Sequence, residues 1–533
     1  MNRRPHGNPF LLLLTAVIIL GALSVMRWDN LTSGKLKNFD LLADVLPGHA
    51  AAHSDETPVD TYIDPDLLAI MDAEVSGATP SGETSAPNSE NSDALSRVPA
   101  EDYVHDSSRD IGIIDISDNE SPGAPPSPAK TENKTETKSH ATAPGHPKSD
   151  SAKPAPLPSV RPPEVVRRAD GVTPIEDYSP ARNALSRFSD ALNRAGSRNV
   201  RIAVIGDSYI EGDIFTEYVR SSLQEQYGGS GIGYSPLFSE IPGFRRSVIM
   251  NCSGWKQLDW RNSTGSPYAW LPGFSSRSTG KATTNFSGSS KIPRTSSWDL
   301  SRLLFISPEG GTVNVRTDAG DWDSYPLDAD PDRVQMISVP GTTSKLSVST
   351  STPGIIGLGA FLDSDHGVSV DNMSIRGYSG IRHDELNSSV IDQMRLSGID
   401  YDLIILEYGI NALSAAQTNY DAYGHKMTQV IRRIRKLYPR ADILLMGIGD
   451  RGQKSGGEIH SMSTIPSMIA TQRSVAKATG VAFWDTQAAM GGRDAVVEWS
   501  RNKEVNKDYI HMSFTGGKRL AREFVNALND AVQ

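Results

Sequence analysis

A serine lies in the sequence Gly206-Asp207-Ser208-Tyr209, where a short apolar run gives way to alternating polar and apolar residues. A serine between a strand and a helix has its backbone N–H near the helix N-terminus, where unpaired donors and partial positive charge stabilise a developing oxyanion. This placement suits a nucleophile. Gly-Asp-Ser is also common in turns and N-caps, so the tripeptide alone leaves both interpretations open.

An aspartate and a histidine three residues apart, Asp508 and His511, precede the last predicted helix. A neutral imidazole can take the proton of a serine, and a carboxylate on its other ring nitrogen fixes the tautomer and stabilises the imidazolium. The spacing lets both side chains point into one site from a single loop. The alternative is a surface aspartate with a structural histidine. His383, at the start of another predicted helix, is a rival base.

Two further segments end predicted strands with groups that can bind an oxyanion. Asn411 follows the strand YDLIIL and can offer its side-chain amide, because parallel sheets collect binding groups at the carboxyl ends of their strands. Gly377 follows SVDNMSIR, and a glycine lets a backbone N–H approach a reacting centre. Gly380 could supply that N–H instead. A helix-capping asparagine and an ordinary turn glycine are the alternatives.

The elements that would position these residues alternate between strand and helix. Short apolar runs, VRIAVIG, YDLIILEYG, ADILLMGIG and VAFWDT, are each followed by a segment with helical spacing. An earlier helix is predicted in YSPARNALSRFSDALNRAG, with apolar positions Leu185, Phe188 and Leu192 and a glycine stop. This alternation predicts a parallel sheet covered on both faces.

The segment 235–365 has a different pattern. Its short β-favouring runs are separated by Gly, Pro, Ser and Asp, which is typical of an all-β sandwich inserted into the α/β core. Five tryptophans fall in this region and suit either core packing or the binding of sugar rings. They are Trp255, Trp260, Trp270, Trp298 and Trp322.

The N-terminal third predicts a different kind of chain. Residues 8–26 are uncharged and about long enough to cross a membrane as a helix, and Arg3 and Arg4 before them predict export of the rest of the chain. A cleaved signal peptide is the alternative. The next segment is rich in Ser, Pro, Ala, Thr and charged residues and predicts a disordered tether. The predicted segments are an anchor at 1–30, a linker at 31–180, the core at 181–234 and 366–533, and the insert at 235–365.

Composition excludes several classes of function. The net charge of −10 comes without a basic stripe for phosphates, so we expect no nucleic-acid partner. Cys252 is the one cysteine, so neither an intramolecular disulfide nor a thiol zinc site can form. The sequence implies no metal or organic cofactor.

Taken together and in chain order, the four segments resemble the conserved blocks of the SGNH hydrolases, also called GDSL-type esterases and lipases. The resemblance covers about 199–532 without the insert and implies a three-layer, flavodoxin-like core. It implies that Ser208 is the nucleophile and that His511, oriented by Asp508, is the base. It also implies an oxyanion hole made by Gly377, Asn411 and the N–H of Ser208. Tyr209 replaces the leucine of the GDSL form, and Ala412 stands where many members have Asp.

An insert of this kind in an exported chain is similar to the peptidoglycan O-acetylesterase branch of the family. The expected function is therefore removal of O-acetyl groups from a cell-envelope glycan such as peptidoglycan, by a single-pass membrane protein with a periplasmic catalytic domain. An O-acetyltransferase that takes its acyl group from a membrane partner would use the same residues. A non-catalytic glycan-binding protein is the alternative from another class.

Overall fold

The computed structural model describes residues 171–259 and 268–533, together with the short strand at 113–114. The predicted membrane helix at 8–26 and nearly all of the predicted linker lie outside the described residues. Within the described part, no helix is both long enough and apolar enough to span a membrane.

The elements are numbered in chain order. The strands are β1 Ile113–Ile114, β2 Glu176–Asp177, β3 Asn199–Gly206, β4 Gly233–Ser235, β5 Val248–Asp259, β6 Phe274–Gly288, β7 Trp298–Ser307, β8 Gly311–Thr317, β9 Asp323–Leu327, β10 Asp330–Thr343, β11 Lys345–Thr350, β12 Ile356–Asp363, β13 Gly367–Ser374, β14 Leu403–Glu407, β15 Asp442–Met446, β16 Gly452–Ser455, β17 Glu458–Ser461 and β18 Ala482–Trp484. The α-helices are α1 Ser186–Leu192, α2 Thr216–Tyr227, α3 Ser388–Leu396, α4 Asp421–Leu437, α5 Ile465–Thr479, α6 Thr486–Met490, α7 Ala495–Arg501 and α8 Phe514–Val532.

The core is a six-stranded sheet in the order β13-β3-β14-β15-β18-β2. Its first five strands are parallel, and their order is that of flavodoxin-like folds. Strands β14, β15 and β18 are buried at every position, which explains their unbroken apolar runs. The helices cover the sheet in two groups, with α2 against α8 and α4 against α5. The predicted α/β core is confirmed.

The register of the central strands brings their carboxyl ends to one edge. Gly206 at the end of β3 pairs with Ser374 at the end of β13 and with Glu407 at the end of β14. The segments after these three strands therefore leave the sheet side by side. They are the segments in which the sequence places the nucleophile and the oxyanion donors.

The insert forms most of a separate antiparallel sheet of ten strands. This sheet also takes in β1, from the predicted linker, which pairs with β10, and β4, which pairs with β12. Some of its buried apolar side chains form a cluster of their own, while others, such as Leu304, Met336 and Phe361, belong to the cluster of the α/β core. The sequence pattern predicts a two-sheet sandwich, whereas the hydrogen bonds join all ten strands. The reason is that β12 pairs with β7 from Ile356 to Asp363 and also with β6 at Ile356 and Gly357, so that it joins the strands on the β7 side to those on the β6 side.

A buried ionic network joins the insert to the core. Arg201 of β3 donates to both carboxylate oxygens of Asp371 at 2.9 Å and also to Asp363 at the end of β12. Asp363 in turn accepts from Arg302 of β7 at 3.0 Å. Tyr401 donates to Asp371. Buried charges are tolerated when they are paired in this way, so the network fixes the insert on the sheet.

The folded core begins earlier than position 181. Strand β2, which falls within the predicted linker, pairs antiparallel with β18. Glu176 accepts hydrogen bonds from Arg473 at 2.8 Å and from Tyr178 at 2.6 Å. This strand has no apolar alternation, because it is held at the sheet edge by polar side chains, and hydrophobic patterning therefore does not predict it.

Candidate active site

The nucleophile turn comes directly after β3. Ser208 is 7% exposed, and the Oδ1 of Asp207 accepts the N–H of Tyr209 at 2.9 Å. A Cβ on Gly206 would lie 2.7 Å from the carbonyl oxygen of Glu407, so only glycine allows the turn to leave the sheet at this point. The turn therefore presents Ser208 at the strand edge.

The three residues predicted as a triad are in hydrogen-bonding contact. The Oγ of Ser208 lies 3.0 Å from Nε2 of His511, and Nδ1 of His511 lies 2.9 Å from Oδ2 of Asp508. Because the carboxylate can only accept, Nδ1 carries the proton and Nε2 is free to accept the serine proton. The arrangement can activate a serine for attack on a carbonyl carbon.

The loop that carries the base is shaped by Asp508 and by the residue after it. The Oδ1 of Asp508 accepts the N–H groups of Ile510 and His511 at 2.9 and 3.0 Å. Burial alone would raise the pKa of Asp508, but the bond from the His511 ring and these backbone donors hold it below its ordinary value. Tyr509 has a φ of +57°, a left-handed conformation that non-glycine residues rarely adopt. The loop is therefore strained as well as hydrogen-bonded.

The hairpin β16–β17 contacts this loop. The N–H of Gly452 donates to the carbonyl oxygen of Tyr509 at 2.8 Å. A Cβ on Gly452 would lie 2.5 Å from the Cβ of Tyr509, so the hairpin packs directly against the strained residue. Sequence reasoning gave the hairpin no role, since its polar residues carry no recognisable motif.

The predicted oxyanion donors lie at the same edge of the sheet. Gly377 has a φ of +73°. Among the described residues, neither its N–H nor that of Ser208 donates to a protein acceptor. Asn411 donates from Nδ2 to Asp207 Oδ2 at 2.7 Å and to the carbonyl oxygen of Tyr378 at 3.1 Å. A Cβ on Gly380 would strike the Tyr408 ring at 2.4 Å, so packing already explains that glycine. The oxyanion roles of Gly377 and Asn411 stay predictions.

Comparison with known proteins agrees with this geometry. The family model for the GDSL-like lipase/acylhydrolase family matches residues 342–519, which include Gly377, Asn411, Asp508 and His511. Ser208 lies outside the match, on the far side of the insert. A solved structure described as "Peptidoglycan O-acetylesterase in action, 5 min" is 25% identical, with a TM-score of 0.56, and covers 67% of this chain and 99% of that one.

The chain is an SGNH hydrolase. Less similar solved structures include a family two carbohydrate esterase from Cellvibrio japonicus, with 11% identity, a TM-score of 0.23 and coverage of 54% of this chain and 98% of that one. Another is an acetyl xylan esterase, with 16% identity, a TM-score of 0.22 and coverage of 30% and 81%. A search among curated proteins found no match. The predicted family and the prediction of a serine hydrolase of the esterase type are confirmed.

Two buried carboxyl groups, those of Asp207 and Glu407, lie at the nucleophile turn of this SGNH hydrolase. Asp207 and Glu407 are both buried, and burial raises the pKa of each above its ordinary value, most strongly for Glu407, where the charge of Asp207 adds to the effect. Asp207 accepts hydrogen bonds from the N–H of Tyr209 and the side chain of Asn411. Glu407 receives one from the backbone of Asp207, and its Oε2 has no hydrogen-bond partner among the described residues. The surrounding donors therefore stabilise a negative charge better on Asp207 than on Glu407.

Sequence reasoning gave this pair no role. The available signal was the acidic residue that ends the otherwise apolar strand LIILE, since a carboxylate at the buried end of a parallel strand is costly without a partner. Its position beside the nucleophile turn depends on the pairing of β14 with β3.

His383, the rival base, lies elsewhere in the hydrolase. It is buried, with its ring nitrogens 3.1 Å from the carbonyl oxygen of Gly380 and 2.9 Å from that of Leu271. Burial lowers its pKa to about 4, against the opposing effect of these carbonyl contacts. Its ring therefore links the turn at Gly380 to Leu271 of the insert. The imidazole that faces Ser208 is that of His511.

Other side chains near the site segments and in the insert have surroundings of their own. Tyr209 is buried, with its hydroxyl 3.2 Å from the sulfur of Met490. Arg376 pairs with Glu211, and Arg382 pairs with Glu385. Trp255, Trp270 and Trp298 are buried, Trp322 is 42% exposed, and Trp260 lies outside the described residues. Among the described residues, no group of acidic, histidine or cysteine side chains is arranged to hold a metal ion.

Proposed function

We propose that this hydrolase removes O-acetyl groups from a cell-envelope glycan such as peptidoglycan. The observation that carries the proposal is the hydrogen-bonded set Ser208, His511 and Asp508, in a chain that matches a peptidoglycan O-acetylesterase over 99% of that structure. A complete triad is what an esterase requires, and it leaves the non-catalytic alternative without support.

Acylation begins when Nε2 of His511 takes the proton of the Ser208 hydroxyl. The oxygen attacks the ester carbonyl carbon, and the negative charge moves to the carbonyl oxygen, near the N–H groups of Ser208 and Gly377 and the amide of Asn411. Collapse of this intermediate breaks the bond to the sugar oxygen, which takes the proton from His511. The products are the free sugar hydroxyl and acetyl-Ser208.

Deacylation repeats the chemistry with a second acceptor of the acetyl group. Water as the acceptor makes the enzyme an esterase, and a sugar hydroxyl makes it a transferase. The side chain of His511 is 41% exposed and that of Asp508 is 45% exposed. Water can therefore reach the base that must activate it, which supports hydrolysis to acetate over transfer to a sugar.

The proposed location is the outer face of a cytoplasmic membrane. It rests on the apolar segment 8–26 with its preceding arginines and on the polar tether after it. A tether of about a hundred residues spans several nanometres as a flexible coil, a reach that suits a polymer layer away from the membrane.

Acetate release from O-acetylated peptidoglycan by the full-length protein tests the function. We expect release by the wild type and by Ser253→Ala, which changes an exposed serine of the insert that bonds Thr283, and none by Ser208→Ala. Acetylation of an added neutral sugar in place of acetate release would identify a transferase. Hydrolysis of a chromogenic acetyl ester without release from the polymer would contradict the proposed substrate.

A further inference from the structure

A cavity of about 280 Å³ lies between the core and the insert, beside the nucleophile turn. Its core wall includes Glu211, Ile375 and Arg376, and its insert wall includes Phe238, Ile241 and Phe244. Ser208 and His511 do not line it. The cavity is therefore placed to hold a part of the substrate other than the ester that is cleaved.

The core wall belongs to the same backbone that carries the catalytic groups. The N–H of Ile375 donates to the carbonyl oxygen of Gly206 at 2.9 Å, and the N–H of Glu211 donates to that of Ser208 at 3.4 Å. Arg376 directly precedes Gly377. A ligand in the cavity thus lies next to the nucleophile turn and the predicted oxyanion donor.

Phe244, on the insert wall, contacts the segment after Ser208 and the segment after His511. A Cβ on Gly212, which has a φ of +61°, would lie 2.2 Å from the Phe244 ring, so the ring crosses the turn after Ser208 at a point where only glycine fits. The ring centroid of Phe244 is also 5.7 Å from that of Phe514, three residues after His511. Phe244 remains 37% exposed, and Ile241 beside it is 41% exposed.

The loop that carries these side chains is fixed by Arg245. Its guanidinium donates to Asp213 at 2.7 Å, to the hydroxyl of Ser247 at 3.0 Å, and to the carbonyl oxygens of Tyr234 and Ile232 at 2.8 and 3.0 Å. Asp213 is buried and also pairs with Arg220. The apolar side chains therefore face the cavity from a rigid support, which lowers the entropy cost of binding.

Two acidic and two basic side chains line the cavity, namely Glu211, Glu240, Arg245 and Arg376. Glu211 pairs with Arg376, Arg245 pairs with Asp213, and Glu240 is exposed to solvent. Aromatic and aliphatic surface with a few polar groups, including Ser239 and Gln257, makes up much of the rest. Such a lining suits a neutral, amphipathic ligand, and the volume is near the lower end of small-molecule sites, enough for one small unit.

We propose that this cavity is a subsite for a neutral sugar unit of the glycan, next to the acetylated one, with Phe244 as its stacking surface. The assignment rests on the proposed function. It gives the insert a direct part in substrate selection at the catalytic centre, through the loop that closes the cavity.

The test compares acetate release from O-acetylated peptidoglycan with hydrolysis of a small chromogenic acetyl ester, in the full-length protein. We expect Phe244→Ala and Ile241→Ala each to lower the ratio of the two kcat/KM values, by about tenfold for the phenylalanine, the scale of one lost aromatic contact. Leu396→Ala, which removes an exposed apolar side chain of α3 outside the cavity lining, is the control and should leave the ratio unchanged. An unchanged ratio in both cavity variants would overturn the proposal.

Binding separates this proposal from the proposed function. Tri-N-acetylchitotriose, a neutral glycan, should inhibit hydrolysis of the chromogenic ester, and its Ki should rise in Phe244→Ala but not in Leu396→Ala. That result in a protein that releases no acetate from the polymer would keep the subsite and reject the substrate. Inhibition by a free stem peptide in place of the trisaccharide would overturn the sugar assignment.

Discussion

The side-chain amide of Asn411 donates a hydrogen bond of 2.7 Å to the carboxylate of Asp207, the residue before the nucleophile. Its second bond, to the carbonyl oxygen of Tyr378, is longer at 3.1 Å. An amide nitrogen has two hydrogens, so both are engaged. The weaker contact is the one that must yield if Asn411 is to donate to an oxyanion, while Asp207 keeps the amide in place.

Asn411→Ala should lower kcat by about a hundredfold to a thousandfold with little change in KM, as expected for loss of one oxyanion donor. Steady-state kinetics on a chromogenic acetyl ester measure this. The matched control is Asn387→Ala, which removes the N-cap of α3 and should reduce stability by about 1 kcal/mol without this loss of kcat. An equal loss of kcat in both variants would point to a general structural effect.

Asp508→Asn should lower kcat by at least about a thousandfold, because the amide no longer holds the imidazole in the tautomer that accepts the serine proton. The chain provides a control of the same type in Asp365, whose exposed carboxylate contacts Nδ1 of His366 at 2.6 Å. Asp365→Asn should retain wild-type kinetics. Near-normal turnover in Asp508→Asn would show that another group orients His511.

The pair Asp207 and Glu407 predicts a dependence of stability on pH. Both pKa values are raised in the folded protein, so above their ordinary values near 4 the native state binds more protons than the unfolded state. The free energy of unfolding therefore falls as the pH rises through the folded pKa values.

Glutamine does not titrate, so Glu407→Gln removes one of the two groups that bind extra protons in the native state. The fall in Tm between about pH 5 and pH 8 should therefore be smaller than in the wild type. The gain at the alkaline end should be about 2–4 °C for each kcal/mol recovered. Thermal unfolding measured across this range is the readout, and Glu385→Gln, on the surface, should keep the wild-type slope. A steeper slope in Glu407→Gln would mean that Glu407 is ionised in the native protein.

Gly452→Ala should lower kcat by about tenfold to a hundredfold, because the added methyl group would displace Tyr509 and shift His511 relative to Ser208. Gly196→Ala is the control, since a Cβ at that position meets no atom within 4 Å. The measured kcat should therefore be lower in Gly452→Ala than in Gly196→Ala. Equal, wild-type activity would show that the hairpin does not position the base loop.

The triad could be predicted because its local segments, taken in chain order, resemble the SGNH blocks, although each segment alone leaves an alternative open. Ser208 lies just after a recognisable strand, and Asp508 and His511 lie three residues apart. The parallel strands could be predicted from apolar runs, two of which are fully buried in the structure, whereas their flavodoxin-like order was implied only by the family resemblance. Local patterns of this kind survive in sequence without knowledge of distant contacts.

The remaining features depend on register and on packing between distant segments. Glu407 reaches the nucleophile turn only because β14 pairs with β3 at Gly206. Phe244 reaches it only because Gly212 leaves room for the ring. Neither contact leaves a periodic signal, since each joins single residues from segments with different patterns.

The insert leaves and re-enters the core at almost the same point. The N–H of Val368 donates to the carbonyl oxygen of Gly228 at 3.0 Å, and a Cβ on Gly367 would lie 2.2 Å from the backbone of Gly228. When the two ends of a module lie in contact, insertions and substitutions within the module disturb the supporting sheet very little. If the proposed subsite holds, evolution could exchange this wall of the cavity while Ser208, Asp508 and His511 keep their places, and the same reaction would then act on a different glycan.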